Sequence, residues 1–546
     1  MIKLLAGVAL TVLTAAAALP ALAQDVASLE LRRVVIAPPQ NSLATTIKQG
    51  LASAYAGTKP GTAAHEEAQR LYYFYGERYF EPLWLSLAAD GSLAFSDKAE
   101  AILDIFRQAG SEGLRREDYL TADLDVSAAE GDPARMAALE TAFSAAALRY
   151  ATHIYTGRIR PQDVSAFLDI APKRLDEAAL LMRLASSDDP GAVFAELEPR
   201  HPEFLALKAA LARFESDKVD RPEPLPDGPT IKPGMSDPRV PLLRERLKIT
   251  ASAEALTVYD QSLADAVKAF QEAQGLEADG VVGPATLAAF NGGGPVTRAD
   301  IIANMERWRW MPRELGDFNV MVNVPEFRLA ISDHGKQVYA TRVVVGTVKN
   351  QTPIFSDNIR HIVVNPYWNV PNSIIANEVA PAVLRNPGYI SGQNMELLYN
   401  GSVISASSVN WGMVSSSNFP FRVRQKPGPS NALGQIKFLF PNKHDVYLHD
   451  TPSKSLFARG FRAYSHGCIR VENPMEFADA LTVNEPAIDR ASLEALFGPS
   501  ERWVNPQKHI PVHIAYFTLR VSEDGTLRSF GDVYGHNEKL IELMGL

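Results

Sequence analysis

Apolar positions recur along this chain with two periods, and the change from one to the other divides it. From about residue 62 to 215 the spacing is helical. Leu139, Phe143, Ala146 and Tyr150 share one face, as do Phe204, Leu207 and Leu211 with Lys208 outside. From Phe318 the period becomes two. Phe318, Val320, Val322 and Val324 alternate with Asn319, Met321 and Asn323, and Phe327, Leu329 and Ile331 then alternate up to the turn Asp333-His334-Gly335-Lys336. With Val338 to Val345 following, this predicts an antiparallel β domain. After Pro366-Tyr367-Trp368-Asn369-Val370-Pro371 the alternation lapses, and 373–433 is rich in Asn, Ser, Gly and Pro. An insertion of that size, poor in strands, is expected as a lid over a site. Strands resume at Gln435–Phe440 and at Asp445–Leu448, which runs directly into His449. A final strand is expected over Val512–Val521.

The remaining text is punctuation and small units. Residues 24–60 are weakly patterned and read as a linker, and 61–221 as an all-α domain. Its aromatic group Tyr72-Tyr73-Phe74-Tyr75, Tyr79-Phe80 and Trp84 fits buried helix faces better than a stacking platform. Prolines at 222, 224, 226, 229 and 233 predict a semi-rigid spacer over 222–233. A three-helix unit follows over 234–292. Its first helix starts at Asp237-Pro238, its second carries Leu263, Ala266, Val267 and Phe270 with Gly275 as end signal, and its third restarts at Pro284 after a glycine turn. Asn291-Gly292-Gly293-Gly294-Pro295 is a flexible joint. In the connecting helix of 293–316, Arg307 and Arg309 alternate with tryptophans and serve docking or a substrate carboxylate.

Composition narrows the setting. Met1-Ile2-Lys3, an apolar run from Leu4 to Leu19 and the small residues ending at Ala23 read as a signal peptide, residues 1–23, removed on export. An uncleaved anchor is the alternative. The expected location is the periplasm, with no stable membrane insertion after cleavage. A net charge of −9 without basic clustering argues against nucleic acid as a partner. One cysteine, Cys468, cannot form an intrachain disulfide, and an oxidising compartment makes an idle exposed thiol a liability.

Cys468 lies in Tyr464-Ser465-His466-Gly467-Cys468-Ile469-Arg470, and His449 lies 19 residues earlier in Tyr447-Leu448-His449-Asp450-Thr451. A nucleophilic thiolate needs an imidazole nearby in space, which this pair supplies. The two stretches, with Gly346 and Thr352-Pro353, resemble the signature of the YkuD-type L,D-transpeptidase catalytic domain. Residues 269–271 and 279–286 similarly resemble a peptidoglycan-binding module. The whole is similar to large periplasmic L,D-transpeptidases. The implied fold class is multidomain α+β: an all-α scaffold domain, a small three-helix peptidoglycan-binding domain and a mainly β catalytic domain over 317–546 with an inserted lid.

The resemblance implies Cys468 as nucleophile and His449 as general base, with thiolate–imidazolium pairing. The backbone carbonyl of Asp450, or its carboxylate, orients the ring. The N–H groups of Gly467 and Cys468 are the expected oxyanion donors, Ser465 and His466 shape the loop, and Tyr447 and Arg470 contact substrate. It further implies 3→3 cross-linking of peptidoglycan stem peptides, carbapenem sensitivity and no cofactor, with other wall-synthesis enzymes as candidate partners. Lipoprotein attachment to or release from the wall, carboxypeptidase action and a non-enzymatic wall binder stand as alternatives. So does zinc on Cys468, His466, His449 and His444, although no metal is the favoured reading.

Overall fold

The computed structural model describes residues 36–546 apart from 88–91, 217–224, 227, 251, 253–254, 274–275, 277, 291–295, 416–417 and 523. The expected signal peptide, Pro222, Pro224, the Gly275 end signal and the 291–295 joint lie outside the described residues. Two compact units are present: residues up to 93 with 126–141, and residues 94–125 with 142–546.

In the first unit, helices α1 (Ser42–Gly57) and α2 (Ala63–Glu77) pack together. The linker expected over 24–60 is therefore corrected to a helix over Ser42–Gly57. Asn41 caps α1 by accepting the Ala44 N–H at 2.7 Å, and Ala44, Ile47 and Leu51 bury one face. The Ser and Thr residues that resemble loop text lie in its first turns. Phe74, Tyr75, Phe80 and Trp84 are core, whereas Tyr79 is 44% exposed. Buried Glu140 accepts hydrogen bonds from the Tyr75 hydroxyl at 2.9 Å and from the N–H groups of Trp84 and Leu85. Two short strands, β1 (Leu85–Leu87) and β2 (Leu93–Phe95), interrupt the otherwise helical text.

The second unit holds α3 (Pro202–Ser216) and a three-helix module of α4 (Val240–Leu247), α5 (Gln261–Ala273) and α6 (Pro284–Phe290). Of the expected spacer over 222–233, the described residues 225 and 231 fold into this module. Leu225 and Ile231 are buried in its core, and Ile231 exchanges backbone hydrogen bonds with Val282 at 3.1 and 2.9 Å. Proline fixes extended backbone, and here that backbone lies against the module. Asp237 accepts the Arg239 N–H at 2.9 Å, so α4 begins two residues later than expected, at Val240. Helix α7 (Arg298–Trp310), opened by a Thr297–Asp300 capping box, is buried at every position from Ile301 to Trp310. Arg307 donates to Asn537 at 2.8 Å and Arg309 pairs with Glu306 at 3.4 Å. These arginines serve docking.

The β domain centres on one sheet. Its strands are β3 (Phe318–Asn323), β4 (Arg328–Asp333), β5 (Lys336–Gly346), β6 (Ser356–Ile359), β7 (His361–Val364), β12 (Ile436–Leu439), β13 (Leu448–His449), β14 (Ala463–Ser465), β15 (Ile469–Val471), β16 (Arg502–Val504) and β17 (Ile510–Ala515). They run β16-β7-β12-β13-β15-β5-β4-β3-β17-β6, with β14 beside β5. The expectation of an antiparallel domain is corrected to a mixed sheet, because β13–β15, β14–β5 and β17–β3 are parallel. The crossover between His449 and Ile469 is long enough to return in the same direction. The strand expected over Val512–Val521 breaks at Tyr516. Phe517 N–H turns inward to Asn323 Oδ1 at 2.8 Å, and Leu519–Val521 pairs instead with Leu527–Ser529.

The expectation that 373–433 is poor in strands is also corrected, and the segment together with the residues just before it forms one unit. It carries its own sheet, β10-β9-β11-β8, from β8 (Trp368–Asn369), β9 (Met395–Tyr399), β10 (Ser402–Ile404) and β11 (Arg422–Gln425). It has its own core of Val370, Ile374, Val379, Val383, Leu397 and Val423. Short strands among turn residues hid this sheet from the periodicity.

Candidate active site

Strand β13 is only two residues long, but it is paired on both sides. Phe438 and Lys437 of β12 face Leu448 and His449, while Ile469 and Arg470 of β15 face them from the other side. His449 is consequently 4% exposed and fixed in position. Its Nδ1 donates to the Asp450 carbonyl at 2.5 Å, which leaves Nε2 as the acceptor nitrogen. The Asp450 residue is itself held at both of its other polar groups. Its N–H donates to Ile436 O at 2.9 Å, and its carboxylate accepts from Gln435 N–H at 2.9 Å and from Lys454 Nζ at 2.7 Å. The carbonyl orients the ring, and the carboxylate anchors the residue that carries that carbonyl. Gly434, at φ +62°, lets the chain pass where any side chain would collide with the Asp450 carboxylate.

Cys468 follows Gly467, whose φ of +118° is a backbone state that glycine adopts without steric cost. Ser465 Oγ stitches the turn, donating to Cys468 O at 2.5 Å and accepting the Gly467 N–H at 3.1 Å. Of the two expected oxyanion donors, Gly467 N–H is thus engaged within the loop. The Cys468 N–H has no hydrogen-bond partner among the described residues. Thr352 braces the loop from below. Its hydroxyl donates to Gly467 O at 2.8 Å, and the Tyr534 hydroxyl accepts the Thr352 N–H at 3.1 Å.

Half-buried Cys468 directs Sγ to Asp445 O at 3.7 Å, and no hydrogen bond joins it to the His449 imidazole. Burial pushes the thiol up to about 11, against the opposing pull of the Tyr447 N–H, the Tyr447 phenol and Arg470. Burial, with Arg470 and Lys437 nearby, pushes His449 down to about 3. Burial therefore works against the expected thiolate–imidazolium pair, disfavouring the charged form of each group. Tyr447 lies edge-on to His449 at 5.7 Å, and its phenol is held well above its ordinary range by burial and the adjacent sulfur.

Two further contacts and one further residue escaped the sequence reading. His466 Nε2 meets Glu378 Oε1 at 2.8 Å, joining the nucleophile loop to a π-helical turn, Ile375–Val379, of the insertion. Asp169, from the helical half of the chain, accepts from Lys443 Nζ at 2.9 Å and binds His444 Nε2 at 2.8 Å, beside Asp445. Lys437 interrupts the apolar strand Ile436–Leu439, and that lone cation was the available signal. Among the described residues no group of three or more His, Cys, Asp or Glu is placed to hold a metal, and no helix is long and apolar enough to cross a membrane.

Three stretches of the chain match known families. Residues 317–488 match one described as "L,D-transpeptidase catalytic domain", 236–290 one described as "Putative peptidoglycan binding domain" and 69–211 one described as "Scaffold domain". A curated protein of Haemophilus influenzae named "Putative L,D-transpeptidase" is 33% identical over 240 residues, which is 43% of this chain and 48% of that one. The chain spans about half the length of this relative. Among solved structures, an L,D-transpeptidase of Xylanimonas cellulosilytica is 18% identical, covering 53% of this chain and 98% of its own, at a TM-score of 0.16. One of Stackebrandtia nassauensis is 13% identical, covering 52% and 94%, at a TM-score of 0.21.

Proposed function

From a chain that carries an L,D-transpeptidase catalytic domain beside a peptidoglycan-binding domain, we infer an enzyme that forms 3→3 cross-links between diaminopimelate residues through a thioester on Cys468. The observation that supports this most is the setting of His449: buried on a strand, Nδ1 committed to the Asp450 carbonyl, Nε2 left as base.

With both groups neutral at rest, proton and bond move together. Nε2 of His449 takes the Sγ proton as sulfur bonds to the carbonyl carbon of the third stem residue. The Cys468 N–H receives the oxyanion. The amide C–N bond then breaks, and the imidazolium returns its proton to the departing D-alanine amine. The side-chain amine of a diaminopimelate on another strand attacks the thioester. His449 accepts that proton, the new C–N bond forms, the C–S bond breaks and the thiol is restored. Arg470 offers a cation to a stem carboxylate, and Tyr447 lines the sulfur. The insertion over 373–433 serves as the lid, reached through His466 and Glu378. Export by residues 1–23 and action in the periplasm belong to the same reading, because its substrate is the wall.

Purified protein incubated with disaccharide-tetrapeptides should yield dimers that have lost one D-alanine per link, read by mass spectrometry. Tripeptide alone would mean water is the acceptor and the enzyme a carboxypeptidase. Formation of neither product would overturn the reading.

A further inference from the structure

Lys437 is the residue of the site that nothing so far uses. Its side chain is 8% exposed, yet it makes no hydrogen bond and no ion pair among the described residues. Its ammonium lies 5.8 Å from the Tyr447 ring centroid. Glu501 acts on it only at longer range, and that carboxylate accepts the Tyr367 N–H at 3.4 Å. A buried cation without a counter-ion is costly, and such a charge is ordinarily paired. The lysine responds as expected, with burial pulling its pKa down.

Its place in the sheet says what it faces. Lys437 and Arg470 are the two direct cross-strand neighbours of His449, one on each side. Strands lie about 4.8 Å apart, and directly paired residues project to the same face. Two cations thus flank the base on the face it uses, and Arg470 is likewise unpaired at Nε. In the acyl transfer above, the leaving amine must approach His449 Nε2 to collect its proton. A terminal amino acid carries its free carboxylate on the carbon bonded to that amine. The carboxylate therefore falls beside the imidazole, where Lys437 waits.

We propose that Lys437 binds the free carboxylate of the departing terminal residue, so that the enzyme selects donors whose scissile bond is the last in the stem. This rests on the transpeptidase reading and deepens it.

The test pairs two donors with three proteins: tetrapeptide stems ending in D-alanine or in D-alaninamide, with wild type, Lys437→Met and Lys437→Arg. Wild type should favour the acid by roughly 10- to 100-fold in kcat/KM, the span of a charge-assisted hydrogen bond. Lys437→Met should lose that preference, slowing the acid donor at least about tenfold more than the amide, and Lys437→Arg should recover part of it. Equal losses on both donors, or a wild type indifferent to the amide, would overturn the proposal. Release of neither D-alanine nor D-alaninamide by wild type would instead sink the transpeptidase reading itself. If Lys437→Met does not fold, Lys437→Gln decides on the same ratio.

Discussion

His449 and His466 are 17 residues apart and belong to two differently built regions. His449 is buried on a strand with a ladder on each side, and its orienting partner is a backbone carbonyl that cannot swing away. His466 is half exposed, and its partner Glu378 sits on a π-helical turn of an insertion with a separate core and sheet. The proposed base is mounted on the part of the domain that shares one large core with α3 and α7. The residue that meets the insertion is mounted where two exposed side chains can part. An exposed ion pair is worth about 0–1 kcal/mol, whereas breaking a buried and fully bonded arrangement costs several times that.

The sharpest break falls on the rigid side. His449→Gln should lower kcat for cross-linking on the order of 10³-fold with the fold retained, as expected for loss of a general base. An equally large effect in pH tests the neutral pair. With the thiol pushed up to about 11, nearly all of it is protonated below pH 10. Each pH unit then raises the thiolate about tenfold. Alkylation of Cys468 by iodoacetamide should therefore climb on the order of 10³-fold from pH 7 to 10. A plateau across neutral pH would instead reveal a resting ion pair. Gly434→Ala puts a Cβ into the Asp450 carboxylate on a left-handed residue. The His449 carbonyl partner should shift, lowering kcat about 10- to 100-fold while donor KM holds. The smallest effect belongs to the insertion. Glu378→Gln should change donor KM by less than about fivefold and leave kcat unchanged.

The same contrast explains what was legible in sequence. Strands β3 and β4 were legible because Phe318, Val320 and Val322, then Leu329 and Ile331, recur at every second position, and Cys468 and His449 stand out because their flanking residues are chemically unusual. The sheet of the insertion was hidden because β9 to β11 are three to five residues long and set among turn signals. Helix α1 was hidden because Ser and Thr in its first turns resemble a loop. Parallel pairing at the site depends on where a crossover lands, which no local pattern records. Glu378 and Asp169 act through partners 88 and 275 residues away, as does Thr518, turned to Asn304 214 residues back. The desolvation of the thiol was not legible because sequence supplies the neighbours of a group but not their burial.

The central claim is that Cys468 is the acylated nucleophile. Intact-protein mass spectrometry after incubation with meropenem tests it most directly. The account predicts a single covalent adduct on wild type, mapped to Cys468, and none on Cys468→Ala. An adduct that persists on Cys468→Ala, or cross-linking activity retained by that variant, would contradict it.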